Sequence, residues 1–416
     1  MRDAMENAVI DKYLSSSDFN GLYVHVLSEN DEKETKQLIE DGAIEVVTVN
    51  DYMNPHIRPW SPQTSRKEQV EAIEDLSKQE YGVCLYPTRQ AMASIPLGEK
   101  YEERPYSKSM ARGSGTLDVV YFRMDVLEGY RNDPRFSFIF DDFGVDTSVT
   151  EETYNNEGGD SPDAIIMRHI GYAYDLSNYD AENPESSSIN RYACAFVGDL
   201  AKLTPEHQMQ WKAREVKDVH GIYPHPAWWK ARMGYWEDNV GPFERIVFEL
   251  RSINKLSINI YGQPLFKVTD RPRDFGWILR ASKKDFDDFV LIFDKMLSDN
   301  LIAKTLTTMG VDTKNEDGNP LGTLKRLELF LISKGNDAEA CQQLLRPLIQ
   351  VRKLRQRPAH SIAENITDGR LIDKQIRLLH EVIETLSDLR KFWQKHPSNA
   401  SWTEPDYIKT GTTYLM

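Results

Sequence analysis

The sequence predicts an α+β chain: an N-terminal mixed α/β region with a mostly antiparallel sheet, followed by a C-terminal four-helix bundle. Three observations carry this. Strand-like runs separated by turn-rich loops dominate residues 115–203. The apolar pattern switches to a helical period after Asp270-Arg271-Pro272-Arg273. A length of 416 residues exceeds what one ordinary core organises, so two or three domains are expected.

In the first region, residues 1–110, the run KETKQLIEDGAIEVVTV reads as helix then strand: an apolar stripe, a Gly42 stop and a β-branched stretch. This order over 20–50 occurs in winged-helix domains, whose helix enters a DNA groove. Glu32, Glu34, Glu40 and Asp41 make the helix acidic, which opposes DNA. Residues 51–114, rich in Pro, Tyr and charge, read as irregular. A second region, 111–275, supplies the strand-like runs TLDVVYFRM, RFSFIF, AIIMRHIGYAY and RYACAFV, and reads as a sensing or regulatory domain. Its end turns helical, with Thr204-Pro205 as a favourable helix entry. The charged, Pro-containing stretch 270–273 reads as a linker.

The bundle is expected over 281–396, with a tail at 397–416. Its first helix starts near Ser282, capped with Asp285, and its stripe is Phe286, Phe289, Val290, Phe293, Met296 and Leu297. The second starts at Asn319-Pro320 and stops at Gly335. The third runs from near Asp337 to before Pro358, with a kink or break expected at Pro347. The fourth runs from about Leu371 to Gln394, with Ile372, Ile376, Leu379, Ile383 and Leu386 on one face. Short loops between amphipathic helices favour a bundle.

Composition bounds the environment. With 40% hydrophobic and 28% charged residues the chain is globular. No apolar run reaches the roughly 18 residues of a membrane span, so no membrane association is expected, and the N-terminus has no signal-peptide pattern. Cys84, Cys194 and Cys341 are far apart and form no CxxC pair, which fits a reducing, cytoplasmic setting and buried thiols. The formal charge is −14, but residues 281–398 hold 19 Lys+Arg against 17 Asp+Glu. With a further −1 on the last 18 residues, the first 280 carry −15, so a polyanion site belongs to the C-terminal part.

On the third helix Leu344, Leu348 and Val351 mark the buried face, and the next position in that series is Arg355. A guanidinium on an apolar stripe needs a partner or a task. Lys353 and Arg357 fall on the opposite, solvated side. His360 follows immediately after the helix end at Pro358. A fixed cation for a phosphate and a group titrating near neutral pH suffice for metal-free RNA cleavage. In that reading His360 is the general acid or base, and Arg355 stabilises charge at phosphorus. The structural alternative is an Arg355 that caps a buried carboxylate or snorkels at the bundle end.

The stretch Arg355-Gln356-Arg357-Pro358-Ala359-His360 resembles the Arg-x4-His signature of HEPN domains, with the polar Gln356 after the Arg. The resemblance covers about 281–396. It implies a small, often dimeric helical bundle in which Arg355, His360 and Gln356 are catalytic and no metal or other cofactor is required; the nearby basic residues Arg352, Lys353 and Arg346 are expected to bind the RNA. It also implies a ribonuclease effector of bacterial antiphage defence or toxin–antitoxin systems. RNA, a homodimer partner, and a phage, host or antitoxin protein as trigger would be its partners. The first 280 residues, in passages such as DVLEGYRNDPRF and LTPEHQMQWK, are similar to an uncharacterised group of bacterial proteins, which implies no activity. The alternative reading is a non-enzymatic dimerisation or docking protein with a degenerate bundle. The environment of Arg355 separates the two: a buried Asp or Glu on its guanidinium favours docking, and an open groove shared with His360 favours the enzyme.

Other residues carry less. His220 and His225 lack a third ligand at metal spacing, so a loop histidine beside core aromatics is expected. Trp228, Trp229, Tyr235 and Trp236 could stack bases, but such clusters are more often core or interface. Asp141-Asp142 follows a strand without the Lys and Glu of a metal nuclease. Gly113-Ser114-Gly115 is too short for a phosphate loop.

Overall fold

The computed structural model describes residues 4–15, 19–78, 81–157, 165–177, 189–235, 239–356, 364–409 and 412–413. Its contacts divide the chain into two units. The first holds Met1–Val126, Ser148–Ile170 and Ala193–Val219; the second holds Leu127–Thr147, Gly171–Tyr192 and His220–Met416. Each mixes helices with strands, and the architecture is α+β with an antiparallel sheet and a helical C-terminal region. No helix among the described residues is long and apolar enough to cross a membrane.

The first unit opens with α1 (Ala4–Ser15), β1 (Leu22–Val24), α2 (Glu29–Glu40), β2 (Ile44–Val47), α3 (Arg66–Glu74), β3 (Val83–Pro87) and, further on, α4 (Pro105–Ala111). Ser28 caps α2, and Ser65 with Glu68 forms a full capping box on α3. The strands pair antiparallel in the order β1-β3-β2, with Leu85 opposite Leu22 on one side and Val46 on the other. The central strand therefore comes from the stretch expected to be irregular. All five residues of β3 are buried. Val83 and Leu85 join one apolar cluster with Leu38, Ile39 and Ile73, while Cys84 and Tyr86 join another with Tyr13 and Met92. Burial on both faces removes the polar alternation that marks a half-exposed strand.

A second sheet contains β4 (Val119–Arg123), β5 (Phe136–Phe140), β6 (Gly144–Val149), β7 (Ile166–Asp175), β8 (Asn190–Phe196) and β9 (Ile222–Pro224). Its order is β4-β8-β7-β6-β5, with β9 antiparallel on β7. The expected strand runs are all here. In the first unit α5 (Pro205–Lys212) starts at Thr204, as the Thr-Pro pair predicts, and buries Trp211 against Phe122 at 4.7 Å.

The second unit is dominated by α6 (Pro242–Tyr261), α7 (Lys283–Met296), α8 (Thr323–Ser333), α9 (Ala338–Gln356) and α10 (Arg370–Gln394). Ser282 caps α7 by accepting from Asp285 N at 3.2 Å, and the whole expected stripe from Phe286 to Leu297 is buried. Helix α9 packs against α7, α8 and α10, and α6 runs along α10. Gly262, at φ +71°, ends α6 in the left-handed conformation that glycine adopts without strain.

Three expectations need correction. Helix α8 starts at Thr323, with Gly322 as its N-cap, because Pro320 is bridged to Lys314 in the preceding turn. Helix α9 runs from Ala338 to Gln356 with Pro347 inside it, so of the kink or break expected there the break does not occur. The stretch 270–273 is not a free linker: Arg271 ion-pairs with the buried Asp142 at 2.5 Å, and just beyond it Phe275 and Trp277 are buried and meet Phe243 edge-to-face at 4.9 and 5.0 Å.

Candidate functional site

Arg355 lies on the last turn of α9, on the face that buries Leu348 and Val351, as the sequence predicts. That face meets α7, where Asp294 is fully buried. Arg355 Nη1 donates to Asp294 Oδ2 at 2.7 Å and also pairs with Asp299. Ser298 Oγ donates to the other Asp294 oxygen, and Arg352 Nη1 reaches Ser298 Oγ at 3.4 Å. The two carboxylate hydrogen bonds, Asp294 first and Asp299 second, hold the Arg355 pKa above the ordinary guanidinium value. The cluster is thus two arginines against two aspartates, neutral as a set. Arg355 remains 32% exposed.

The other expected site residues scatter. Gln356 is exposed at the helix end, and Arg352 is half-buried beside Arg355. Arg346 and Lys353 are exposed, and at about 100° per residue they lie on the side of α9 opposite Arg355. They do not form one patch with it. His360 lies outside the described residues. Sequence reasoning missed Asp294, although a signal exists: it follows Val290 by four positions, so it stands on the apolar stripe of α7. Two opposite charges, each on an interior stripe of neighbouring helices, are the signature of a buried pair.

Further buried charges sit elsewhere in the second unit. Glu249, fully buried on α6, accepts from Arg390 Nε of α10 at 2.7 Å and Arg245 Nη2 at 2.9 Å. Arg390 Nη2 also reaches Glu404 at 2.8 Å, in the segment expected to be a tail. Burial pushes the Glu249 pKa up against the pull of both arginines. The segment is docked: Ile408 packs with Val240 and Phe248, and Thr412–Thr413 pairs parallel with Asn239–Val240.

Asp142 is a second structural acid. It is 3% exposed, pairs with Arg271 at 2.5 Å, and accepts from Glu244 N at 3.1 Å, so it caps α6 from a distant strand connection. A Cβ at Gly241 would collide with this carboxylate, which is why the N-cap position is glycine. Burial pushes the Asp142 pKa up to about 6 despite Arg271. The sign follows from linkage. The folded state holds this proton more tightly than the unfolded chain, so the associated stability is present below about pH 4 and is lost as pH rises through about 6. Asp142→Asn is expected to remove this component, of order 2–3 kcal/mol, while keeping an acceptor for Glu244 N. Urea midpoints between pH 4 and 7 check it: the wild-type-minus-variant difference changes over that window, and a flat difference refutes the assignment.

Of the remaining sequence candidates, Trp236 lies outside the described residues. His225 is buried, stacks on Phe143 at 4.6 Å and caps a short helix through Ala227 N. Trp228 is buried, whereas Tyr235 is exposed. All three cysteines are buried and none is in a disulfide. Among the described residues no group of three or more His, Cys, Asp or Glu is arranged to hold a metal. No protein-family model, curated protein or solved structure matches the chain.

Proposed function

We propose that this chain is a non-enzymatic interaction protein whose C-terminal helices form a HEPN-like four-helix bundle used for dimerisation or docking, with Arg355 as an internal clamp. One observation carries this reading: the fully buried Asp294 carboxylate occupies Arg355 Nη1 at 2.7 Å. A phosphate entering there would meet two carboxylates already neutralising the cation. Desolvating a substrate anion beside them opposes binding.

A second reading rests on a different observation. Both ion pairs of Arg355 use Nη1, and among the described residues Nε and Nη2 have no partner, on a side chain still one-third exposed. An arginine held by a carboxylate on one edge keeps the other edge oriented for a phosphate. That supports a metal-independent RNA endonuclease with His360 as acid or base, acting in antiphage defence or toxin–antitoxin function.

The deciding experiment incubates full-length protein, Arg355→Ala and His360→Ala with tRNA and total RNA in chelator, alongside light scattering for mass. The interaction reading expects a dimer and no cleavage by any of the three. Cleavage by wild type alone, leaving 2′,3′-cyclic phosphate ends, establishes the ribonuclease instead.

A further inference from the structure

The first unit contains a cavity of about 510 Å³ between α1, α4 and the segments around residues 100 and 200. We propose that it binds an organic phosphate of nucleotide size. Its volume falls in the range of small-molecule sites. The charge of its wall is the first argument. Lys100, Arg104 and Lys202 line it, and no carboxylate does among the described lining residues. This happens in a part of the chain that carries −15. Lys100 and Arg104, two cations on one hollow against an acidic background, repel one another, and an anion in the hollow relieves that repulsion.

The hydrogen bonding is the second argument. Lys100 Nζ reaches Leu14 O only at 3.5 Å, and Arg104 Nη1 reaches Leu203 O only at 3.4 Å, so these carbonyls leave both charges largely uncompensated. Asn20, 3% exposed, also lines the cavity, and its Oδ1 has no hydrogen-bond partner. Buried acceptors in native folds are almost always satisfied, so this one marks the place for a ligand N–H or O–H.

The third argument is the apolar wall of Leu14, Met110, Ala111 and Gly198. Inorganic phosphate would use the cations and leave that wall and Asn20 idle. A phosphate ester with a ring and a donor group uses all three features.

The test is calorimetric titration of the full chain with ADP and, separately, with pyrophosphate. A double variant, Lys100→Gln with Arg104→Gln, is compared; Lys100 is exposed and Arg104 only half-buried, so the core is kept. The expected result is saturable ADP binding, weaker pyrophosphate binding, and a Kd for ADP raised about tenfold or more in the variant. The inference is overturned by no saturable ADP binding up to about 1 mM, by an unchanged Kd in the variant, or by pyrophosphate binding as tightly as ADP.

Discussion

Replacing Arg390 by Met is expected to destabilise the helical region by about 3–5 kcal/mol, the range found when one member of a buried ion pair is removed. Arg390 is 2% exposed and Glu249 is fully buried, so water cannot replace the lost guanidinium. Arg245 still holds one Glu249 oxygen at 2.9 Å, which keeps the effect within that range. The pair also sits under aromatic rings: the Arg390 guanidinium lies 5.4 Å from the Trp402 centroid and 5.8 Å from Phe248. Adding Glu249→Leu to Arg390→Met removes the stranded carboxylate and is expected to recover much of the loss, since apolar replacements of buried pairs are often neutral or better. Urea unfolding of the four proteins in the cycle measures this. A loss below about 1 kcal/mol for Arg390→Met would place the pair among exposed ones and sink the argument.

Arg355→Met is expected to cost about 2–3 kcal/mol, less than Arg390→Met because the Arg355 side chain is one-third exposed and water partly replaces it. The cost comes from Asp294, left charged in the interior with only the Ser298 hydroxyl. Asp294→Asn in the same background is expected to recover part of the loss, because it removes the stranded charge. Melting curves of the two variants and the wild type read both effects. If Arg355→Met instead leaves stability unchanged, Arg355 is no clamp, and the proposed interaction reading falls with it.

What the sequence revealed, and what it hid, follows from the same residues. The strand runs, the cap at Ser282, the stripe of α7 and the interior position of Arg355 were legible, because period and capping are local properties. Strand β3 was not, since VCLYP is buried on both faces and has no alternation to detect. The partners of Arg355, Arg390 and Asp142 were also hidden. Asp294 precedes Arg355 by 61 positions, and Glu249 precedes Arg390 by 141; the helical stripe marks Asp294 and Arg355 each as interior, but it does not say which charge meets which. Burial of the segment after Arg273 was missed because Pro and charge marked only its first turn, while Phe275 and Trp277 decided its place.

The docking of residues 402–408 has a consequence in the time order of synthesis. A growing chain makes α6, with Arg245 and Glu249, long before α10 supplies Arg390. Glu404 emerges only after α6 to α10 exist. Until then two guanidinium groups share one carboxylate, and the Phe248 surface that Ile408 covers stays open. Domains generally fold as units with N-terminal parts first, so the last charge to arrive is the one that completes the network. Nascent chains stalled before residue 404 would therefore hold an overcharged, uncovered α6–α10 seam, and protease sensitivity of such chains at that seam should vanish once the segment through Ile408 is released.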